Sequence, residues 1–291
     1  MTAEDPGLRP RRSVLYLPAS NERALEKAKT LPADALILDL EDAVAPDAKP
    51  AAREAACAAA RSGDYGDREL TIRINAAGTQ WHDDDLAAVS AAGPDAIVVP
   101  KVDSADAVRA LVAAMEALGA PEHTKLWAMV ETPRAMLHAE EIGAASERLT
   151  VFVMGTNDLA KELFAEHVPG RAPLLTGLSL ALLAARATGT AILDGVFNDV
   201  KDTEGFLAEC RQGRELGFDG KTLIHPGQVE AANRAFAPSE AAVADARGIV
   251  EAWEAGRGAG VVTYNGRMVE RLHVDTAERT LALHEAISSR S

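Results

Sequence analysis

The chain has 291 residues, of which 47% are hydrophobic, so it can bury a large core as one barrel or as two smaller domains. Its 44 acidic residues outnumber its 30 basic residues and give a net charge of -14, which argues against nucleic acid as a partner because phosphate backbones would be repelled. No apolar run approaches the roughly 20 residues of a membrane span, and the chain has only two cysteines. We therefore expect a cytoplasmic protein with reduced thiols and no membrane contact.

Short, continuous apolar runs recur along the chain, and each is followed by a helix-like stretch. Runs of this kind fit strands that are buried on both faces. The eight predicted strands lie at residues 14–19, 34–42, 70–75, 95–101, 126–132, 149–155, 191–197 and 221–226. Strands that alternate with helices in this way predict a closed (β/α)8 barrel. A doubly wound open sheet is the alternative, but no glycine-rich G-x-G-x-x-G turn follows the first strand.

The end of the chain departs from this alternation. After Pro238–Ser239 the sequence predicts a long helix, a glycine-rich stretch, a β-hairpin that turns at Asn265–Gly266, and a last helix. We therefore predict a barrel domain at residues 1–237, beginning with a loosely held arm of ten residues, and a helix–hairpin–helix segment at residues 238–291. The glycine-rich stretch indicates a movable lid, or an arm that reaches a neighbouring subunit.

Polar residues gather where the predicted strands end, which is the catalytic face of such a barrel. They are Asp39, Glu41 and Asp42 after the second strand, Arg73 and Asn75 after the third, Lys101 after the fourth, Glu131 and Thr132 after the fifth, Thr156, Asn157 and Asp158 after the sixth, Asp194 and Asn198 after the seventh, and His225 after the eighth. Converging carboxylates repel one another unless a cation lies between them. Oxygen ligands favour Mg²⁺ or Mn²⁺, and the histidines lack the paired spacing of a zinc site.

The main candidates also have structural interpretations. Asp158 can be a first-turn acid favoured by the helix dipole, and Glu41 with Asp42 can be charges at the start of the next helix. Arg73, between two isoleucines, is costly to bury unless it meets anions. We expect Glu131 and Asp158 to bind the metal, and Arg73 to bind a carboxylate or an enolate oxygen.

Several segments together resemble one family. They are RSVLYLPASNERALEKA, ADALILDLEDAVAPDAK, IRIN, IVVPKV, MVETPRA, GTNDLA, KTLIHPGQVEAAN and NGRMVE, and they span residues 12 to about 272. In these segments the chain resembles the citrate lyase β-subunit-like (CitE-like) branch of the HpcH/HpaI aldolase superfamily, which includes malyl-CoA and citramalyl-CoA lyases. The resemblance implies a TIM barrel with a C-terminal lid, assembled as a homotrimer or hexamer in which the lid contributes to a neighbouring site.

The resemblance also implies roles for the matching residues. Glu131 and Asp158 would bind Mg²⁺ directly, and Glu41 and Asp42 would support the water shell of the metal. Arg73 would contact the carbonyl or carboxylate oxygens of the substrate.

Two further sets of residues would bind the substrate. The backbone amides of Thr156–Asp158 would hold the carboxylate of a 2-oxo acid at the start of a helix, as helix N-termini hold anions. Arg12, Arg23 and Lys27 are candidates for the phosphates of CoA. The alternative for these three basic residues is a solvated helix face.

One position departs from the family pattern. Members that cleave acyl-CoA thioesters carry Asp in a G-x-M-I-D segment of the lid, whereas this chain reads GRMVE and has Glu270 there. The resemblance implies that this carboxylate carries a proton in the site of a neighbouring subunit. The carboxylate is one methylene longer here, and proton transfer is sensitive to sub-ångström placement.

Together these residues predict a Mg²⁺-dependent carbon–carbon lyase for a 3-hydroxyacyl-CoA such as malyl-CoA or citramalyl-CoA. Its products would be acetyl-CoA or propionyl-CoA and a 2-oxo acid, glyoxylate or pyruvate. The alternative enzymes are a malyl-CoA thioesterase, a CoA-free class II aldolase for 4-hydroxy-2-oxo acids, and a citryl lyase subunit that needs an acyl-carrier partner. A binding protein without catalytic activity is the alternative from a different class.

Overall fold

Eight parallel strands follow one another around a closed barrel in the computed structural model of the chain, which describes residues 8–256, 258 and 260–290. Most of the arm predicted at the N-terminus, residues 1–7, lies outside the described residues. The strands are β1 (Ser13–Pro18), β2 (Ala35–Asp39), β3 (Glu69–Arg73), β4 (Ala96–Val99), β5 (Lys125–Val130), β6 (Leu149–Met154), β7 (Ala191–Asp194) and β8 (Gly220–Leu223). The barrel closes because β1 pairs in parallel with both β2 and β8. The predicted (β/α)8 barrel is confirmed.

Helices follow the strands along the chain. They are α1 (Glu22–Ala28), α2 (Lys49–Ser62), α3 (His82–Ala92), α4 (Ala105–Ala117), α5 (Pro133–Leu137), α6 (Ala139–Gly143), α7 (Thr156–Glu162), α8 (Leu175–Thr188), α9 (Thr203–Leu216) and α10 (Val229–Phe236). None of the helices in the described part of the chain is long and apolar enough to cross a bilayer. Cys57 and Cys210 are buried, free thiols in α2 and α9.

The strands have an outer face and an inner face, and each face has its own apolar cluster. Leu36, Leu38 and Ile72 belong to a large cluster together with buried helical residues. Ile37 and Trp127 belong to a second, smaller cluster built from strand residues of the other parity. Because alternate residues of a strand point to opposite faces, this second cluster fills the interior of the barrel.

The chain divides into two compact units. One spans Arg11–Phe236, and the other contains residues 8–10 and 237–290. Residues 8–10 thus group with the C-terminal segment, although the sequence prediction placed them in the barrel domain. Within this second unit the Arg290 guanidinium donates to the carbonyl oxygen of Pro10 at 3.3 Å, which ties the start of the described chain to its end.

The second unit contains two helices and a hairpin. They are α11 (Glu240–Ala255), β9 (Val262–Tyr264), β10 (Arg267–Val269) and α12 (Arg271–Ser288). The hairpin turns at Asn265 and Gly266, whose φ angles of 48° and 73° fit the two-residue turn that the sequence predicts. The order of elements predicted for this segment is present, and its action as a lid stays a prediction.

Candidate active site

Arg73 lies at the carboxyl end of β3 and points into the barrel, because its neighbours Ile72 and Ile74 belong to the outer cluster. In the strand register it lies opposite Asp39, the last residue of β2. The Nε and Nη2 atoms of Arg73 each donate to an Asp39 carboxylate oxygen at 2.7 Å, and the guanidinium stacks on the ring of Tyr16 at 4.9 Å. Burial lowers the pKa of Arg73, but Asp39, Tyr16 and Glu41 together raise the pKa well above its ordinary value.

Glu41 and Asp42 lie in the loop after β2 and share the remaining Arg73 nitrogen. Glu41 Oε2 is 2.9 Å from Arg73 Nη1 and Asp42 Oδ2 is 3.3 Å from it. The Glu41 side chain is only 15% exposed, whereas that of Asp42 is 74% exposed. Burial raises the pKa of Glu41 to about 8, and the Arg73 charge opposes this rise. Glu41 therefore holds a proton at neutral pH, and the exposed Asp42 is the more distant partner of Arg73.

Glu131 and Asp158 lie after β5 and at the start of α7. The Glu131 side chain is buried, and its Oε1 accepts the backbone N–H of Lys101 at 2.8 Å. Burial, and after it the charge of Asp158, raises the pKa of Glu131 to about 7. Asp158 is 31% exposed, and its nearest cation is the Lys101 ammonium group at 3.8 Å.

Two backbone features make room for this carboxylate pair. A Cβ atom at Gly155 would overlap the Cβ and Oε2 atoms of Glu131, so the glycine lets the Glu131 side chain lie against the end of β6. Lys101 has a φ of 54°, which is uncommon for a residue with a side chain, and its amide donates to Glu131 in this conformation. Such backbone conformations cluster at functional sites.

Thr156 and Asn157 open α7, with Gly155 as the N-cap residue. Thr156 is buried, and Asn157 exchanges two side-chain hydrogen bonds with Asn198, at 3.1 and 2.8 Å. Asn157 therefore links the loop after β6 to the loop after β7. The amide groups of the first helical turn have no acceptor within the helix, as at any helix start.

Most of these residues line one cavity of about 290 Å³ at the carboxyl end of the strands. It is lined by Tyr16, Asp39, Asp42, Ala43, Arg73, Met129, Glu131, Met154, Gly155, Thr156, Asn157, Asp158, Val196, Asn198, Thr222 and Ile224. The structure thus brings Asp39, Asp42, Arg73, Glu131 and residues 156–158 into one cavity, and Glu41 joins them through Arg73. The candidates Asn75 and Thr132 are not among its lining residues.

The carboxylates of this cavity fit a magnesium ion better than a transition metal. Among the residues that the structure describes, no group of three or more His, Cys, Asp or Glu side chains forms a closed metal cage. Mg²⁺ retains several waters and is typically held by one or two carboxylates. Glu131 and Asp158 supply two, and the charge of Asp158 raises the Glu131 pKa, a repulsion that a cation would relieve.

The basic residues suggested for CoA lie in different places. Arg12 precedes β1 and is therefore at the amino end of the barrel, away from the cavity, where its guanidinium makes two hydrogen bonds of 2.8 Å to Asp34. The prediction that Arg12 contacts CoA is corrected on this ground. Arg23 and Lys27 lie in α1, after the carboxyl end of β1, and both side chains are exposed.

Two other candidates have local structural partners. Glu270 is the N-cap residue of α12 in the second unit, where its backbone N–H donates to His273 Nδ1 at 3.0 Å. His225 caps a short 3-10 helix, since its Nδ1 accepts the Gly227 amide at 3.1 Å. These contacts give His225 the structural role that a histidine before proline often has.

Tyr16 was not among the residues predicted from the sequence, and Asp39 was predicted to lie at the site without a specific role. Tyr16 lies two residues after Val14, which belongs to the inner cluster, so the alternation along β1 could have placed its ring inside the barrel. Burial raises the pKa of Tyr16, which keeps its hydroxyl protonated. The pairing of Asp39 with Arg73 could have been found from the register of two adjacent parallel strands.

Comparisons with known proteins identify the family of the chain. Residues 12–226 match the family described as HpcH/HpaI aldolase/citrate lyase, and residues 176–287 match a family described as C-C bond lyase of the TIM-barrel fold. The chain is 51% identical to a (3S)-malyl-CoA thioesterase of Cereibacter sphaeroides over 282 residues, which cover 96% of each chain. It is 38% identical to the citrate lyase subunit beta of Escherichia coli, over 95% of this chain and 94% of that protein.

A solved structure of a related protein is similar to this chain in fold as well as in sequence. The protein CitE from Mycobacterium tuberculosis, in complex with magnesium, acetoacetate and coenzyme A, superposes with a TM-score of 0.77. The two are 33% identical, and the match covers 94% of this chain and 97% of the other. These matches confirm the family indicated by the sequence motifs: the chain belongs to the HpcH/HpaI aldolase/citrate lyase family, a family of enzymes built on the TIM barrel.

Proposed function

We propose that the chain is a Mg²⁺-dependent enzyme that hydrolyses the thioester of malyl-CoA to malate and CoA. The observation that carries this choice of substrate and bond is the 51% identity to a (3S)-malyl-CoA thioesterase over 96% of both chains. The carboxylate cavity supports it, because Glu131 and Asp158 offer Mg²⁺ the oxygen ligands that it prefers. The related M. tuberculosis protein was solved in complex with magnesium and coenzyme A, which supports a magnesium-dependent reaction on a CoA thioester.

In this proposal Glu131 and Asp158 hold the metal and Arg73 orients the substrate. Bound Mg²⁺ would supply Lewis-acid polarisation of substrate oxygens. Asp39 occupies Nε and Nη2 of Arg73, so a substrate oxygen would reach Nη1 by displacing the exposed Asp42 carboxylate, its more distant partner. The amides that open α7 would hold the terminal carboxylate of the malyl group.

Hydrolysis also needs two proton movements. A general base takes a proton from water as its oxygen bonds to the thioester carbon, and the departing sulfur receives a proton as the C–S bond breaks. We assign the base to Glu270, brought by the lid of a neighbouring subunit in a homotrimer or hexamer. Glu41, whose pKa of about 8 keeps it protonated at neutral pH, would donate a proton on the leaving side. Arg23 and Lys27 would contact the phosphates of CoA.

Carbon–carbon cleavage of the same substrate is the second candidate. It is supported by the match to citrate lyase subunit beta and by the family descriptions. Malyl-CoA would then yield acetyl-CoA and glyoxylate, with the same metal ligands and with Arg73 stabilising the enolate of the thioester.

Product analysis separates the two candidates. Purified protein with Mg²⁺ and (3S)-malyl-CoA should release malate and free CoA thiol in equal amounts, whereas cleavage would release glyoxylate and no free thiol. Asp158→Ala should abolish turnover if Asp158 binds the metal, and undiminished turnover in that variant would contradict the assigned site. Glu270→Ala should lower kcat by about 10²- to 10⁴-fold, the usual contribution of a general base, while Mg²⁺ affinity stays unchanged.

A further inference from the structure

A buried lysine outside the catalytic cavity holds the loop that carries Glu41. We propose that Lys49 is a positioning residue, whose ammonium group fixes the two peptide planes that flank Glu41 and so holds the Glu41 carboxylate against Arg73. The geometric part of this inference stands on contacts within the barrel unit. Its kinetic consequence rests on the proposed function.

Lys49 is only 5% exposed although its side chain carries a charge. Its Nζ atom donates to the carbonyl oxygens of Leu40 at 2.8 Å and Glu41 at 2.7 Å, and it lies 5.0 Å from the ring centroid of Trp81. A buried ammonium group needs partners to replace its water shell. Two backbone carbonyls and an aromatic face provide them, and hydrogen bonds from a charged donor are stronger than neutral ones.

These contacts determine the direction of the Glu41 side chain. The peptide plane before Glu41 is held by Lys49 at the Leu40 carbonyl and by Asp39, which accepts the Glu41 N–H at 2.9 Å. The peptide plane after Glu41 is held at its carbonyl by Lys49 and by the Val44 N–H at 3.2 Å. With both planes fixed, the Cα–Cβ bond of Glu41 has one direction, and its carboxylate lies 2.9 Å from Arg73 Nη1.

Loss of the ammonium group should affect Glu41 and leave Arg73 in place. Asp39 holds Arg73 independently through two hydrogen bonds of 2.7 Å. Removal of Lys49 leaves the Glu41 carbonyl with the Val44 N–H at 3.2 Å as its remaining donor, so the carbonyl side of Glu41 is held less firmly. On the amide side, the Asp39 contact and the hydrogen bond from Asn75 Nδ2 to the Leu40 carbonyl at 3.0 Å persist. A purely structural lysine would instead change the stability of the barrel without a specific link to Glu41.

The first test is crystallographic and needs no turnover. In Lys49→Met, a side chain of similar length, the Asp39–Arg73 hydrogen bonds should persist while the Glu41 carboxylate leaves Arg73 Nη1. A Glu41 carboxylate that remains within hydrogen-bond distance of Arg73 overturns the proposal. If Lys49→Met does not fold, Lys49→Arg replaces it, because it retains the charge with a different donor geometry. The Glu41 carboxylate should again leave Arg73 Nη1, and a carboxylate that stays within hydrogen-bond distance overturns the proposal.

The second test is a double-mutant cycle on kcat/KM for malyl-CoA. Lys49→Met should lower kcat/KM by about 10- to 100-fold in the parent but by less than about 3-fold in a Glu41→Gln background, because a residue that acts through Glu41 has nothing left to position. Equal losses in both backgrounds overturn the proposal. Lys221→Met is the matched control, since Lys221 is also buried but pairs with Asp194 and Glu209. Its fold-loss in kcat/KM should be the same in the parent and in the Glu41→Gln background. A parent protein that turns over no malyl-CoA refutes the proposed function, while the crystallographic test still judges the role of Lys49.

Discussion

Binding of Mg²⁺ to the Glu131–Asp158 pair should strengthen steeply as the pH rises through neutrality. Burial and the neighbouring Asp158 raise the pKa of Glu131 to about 7, so the metal must displace a proton whenever Glu131 is protonated. With that pKa, about nine tenths of the Glu131 side chains carry a proton at pH 6 and about one tenth at pH 8. The apparent dissociation constant for Mg²⁺ should therefore fall about tenfold between these pH values.

Calorimetric titration of Mg²⁺ in buffers with different ionisation enthalpies measures both the dissociation constant and the number of protons released on binding. We expect release of about 0.9 proton for each Mg²⁺ bound at pH 6 and of about 0.1 at pH 8. Glu131→Gln, which cannot ionise, should bind Mg²⁺ weakly and release no proton. A dissociation constant that is the same at pH 6 and pH 8, with no proton release, would refute the assignment of Glu131 as a metal ligand.

Three further results are expected. The raised pKa of Glu131 means that the folded state binds this proton more tightly than the unfolded state, so without Mg²⁺ its contribution to the free energy of unfolding is full below the ordinary pKa of 4.5 and is lost as the pH rises through about 7. Urea unfolding of the parent should show a steeper fall over this range than that of Glu131→Gln. Gly155→Ala should lower the free energy of unfolding by about 1–3 kcal/mol through overpacking against Glu131, whereas Gly260→Ala, which meets nothing within 4 Å, should change it little. Arg23→Ala should raise KM for malyl-CoA, and Arg12→Ala should reduce stability with KM unchanged; a rise in KM in Arg12→Ala would contradict its placement at the amino end of the barrel.

The sequence is informative where burial imposes a simple pattern. Strands buried on both faces become continuous apolar runs, and all eight were visible as such. The predicted runs extended past the strands, for example to Asp42 where β2 ends at Asp39, because the polar residues at strand ends belong to the loops. The same geometry explains why Arg73, Glu131 and Asp158 could be grouped, since parallel strands of a barrel deliver their carboxyl ends to one face.

Contacts between a side chain and backbone carbonyl groups leave no such pattern in the sequence. Lys49 acts on carbonyl groups nine and eight residues earlier in the chain, and any residue can supply a carbonyl, so no spacing of side chains indicates the contact. The error at Arg12 has a different origin. Its basic charge suggested a phosphate contact, but its position immediately before β1 already places it at the amino end of the barrel, and that topological signal should have outweighed charge.

The central claim is that water attacks the thioester of malyl-CoA in this cavity, and oxygen-isotope labelling tests it most directly. Purified protein with Mg²⁺ and (3S)-malyl-CoA in H₂¹⁸O should yield malate with one ¹⁸O in the carboxylate formed from the thioester, together with one equivalent of free CoA. Malate formation should disappear in Asp158→Ala. Acetyl-CoA and glyoxylate as the products, with no labelled malate, would contradict hydrolysis and establish carbon–carbon cleavage in its place.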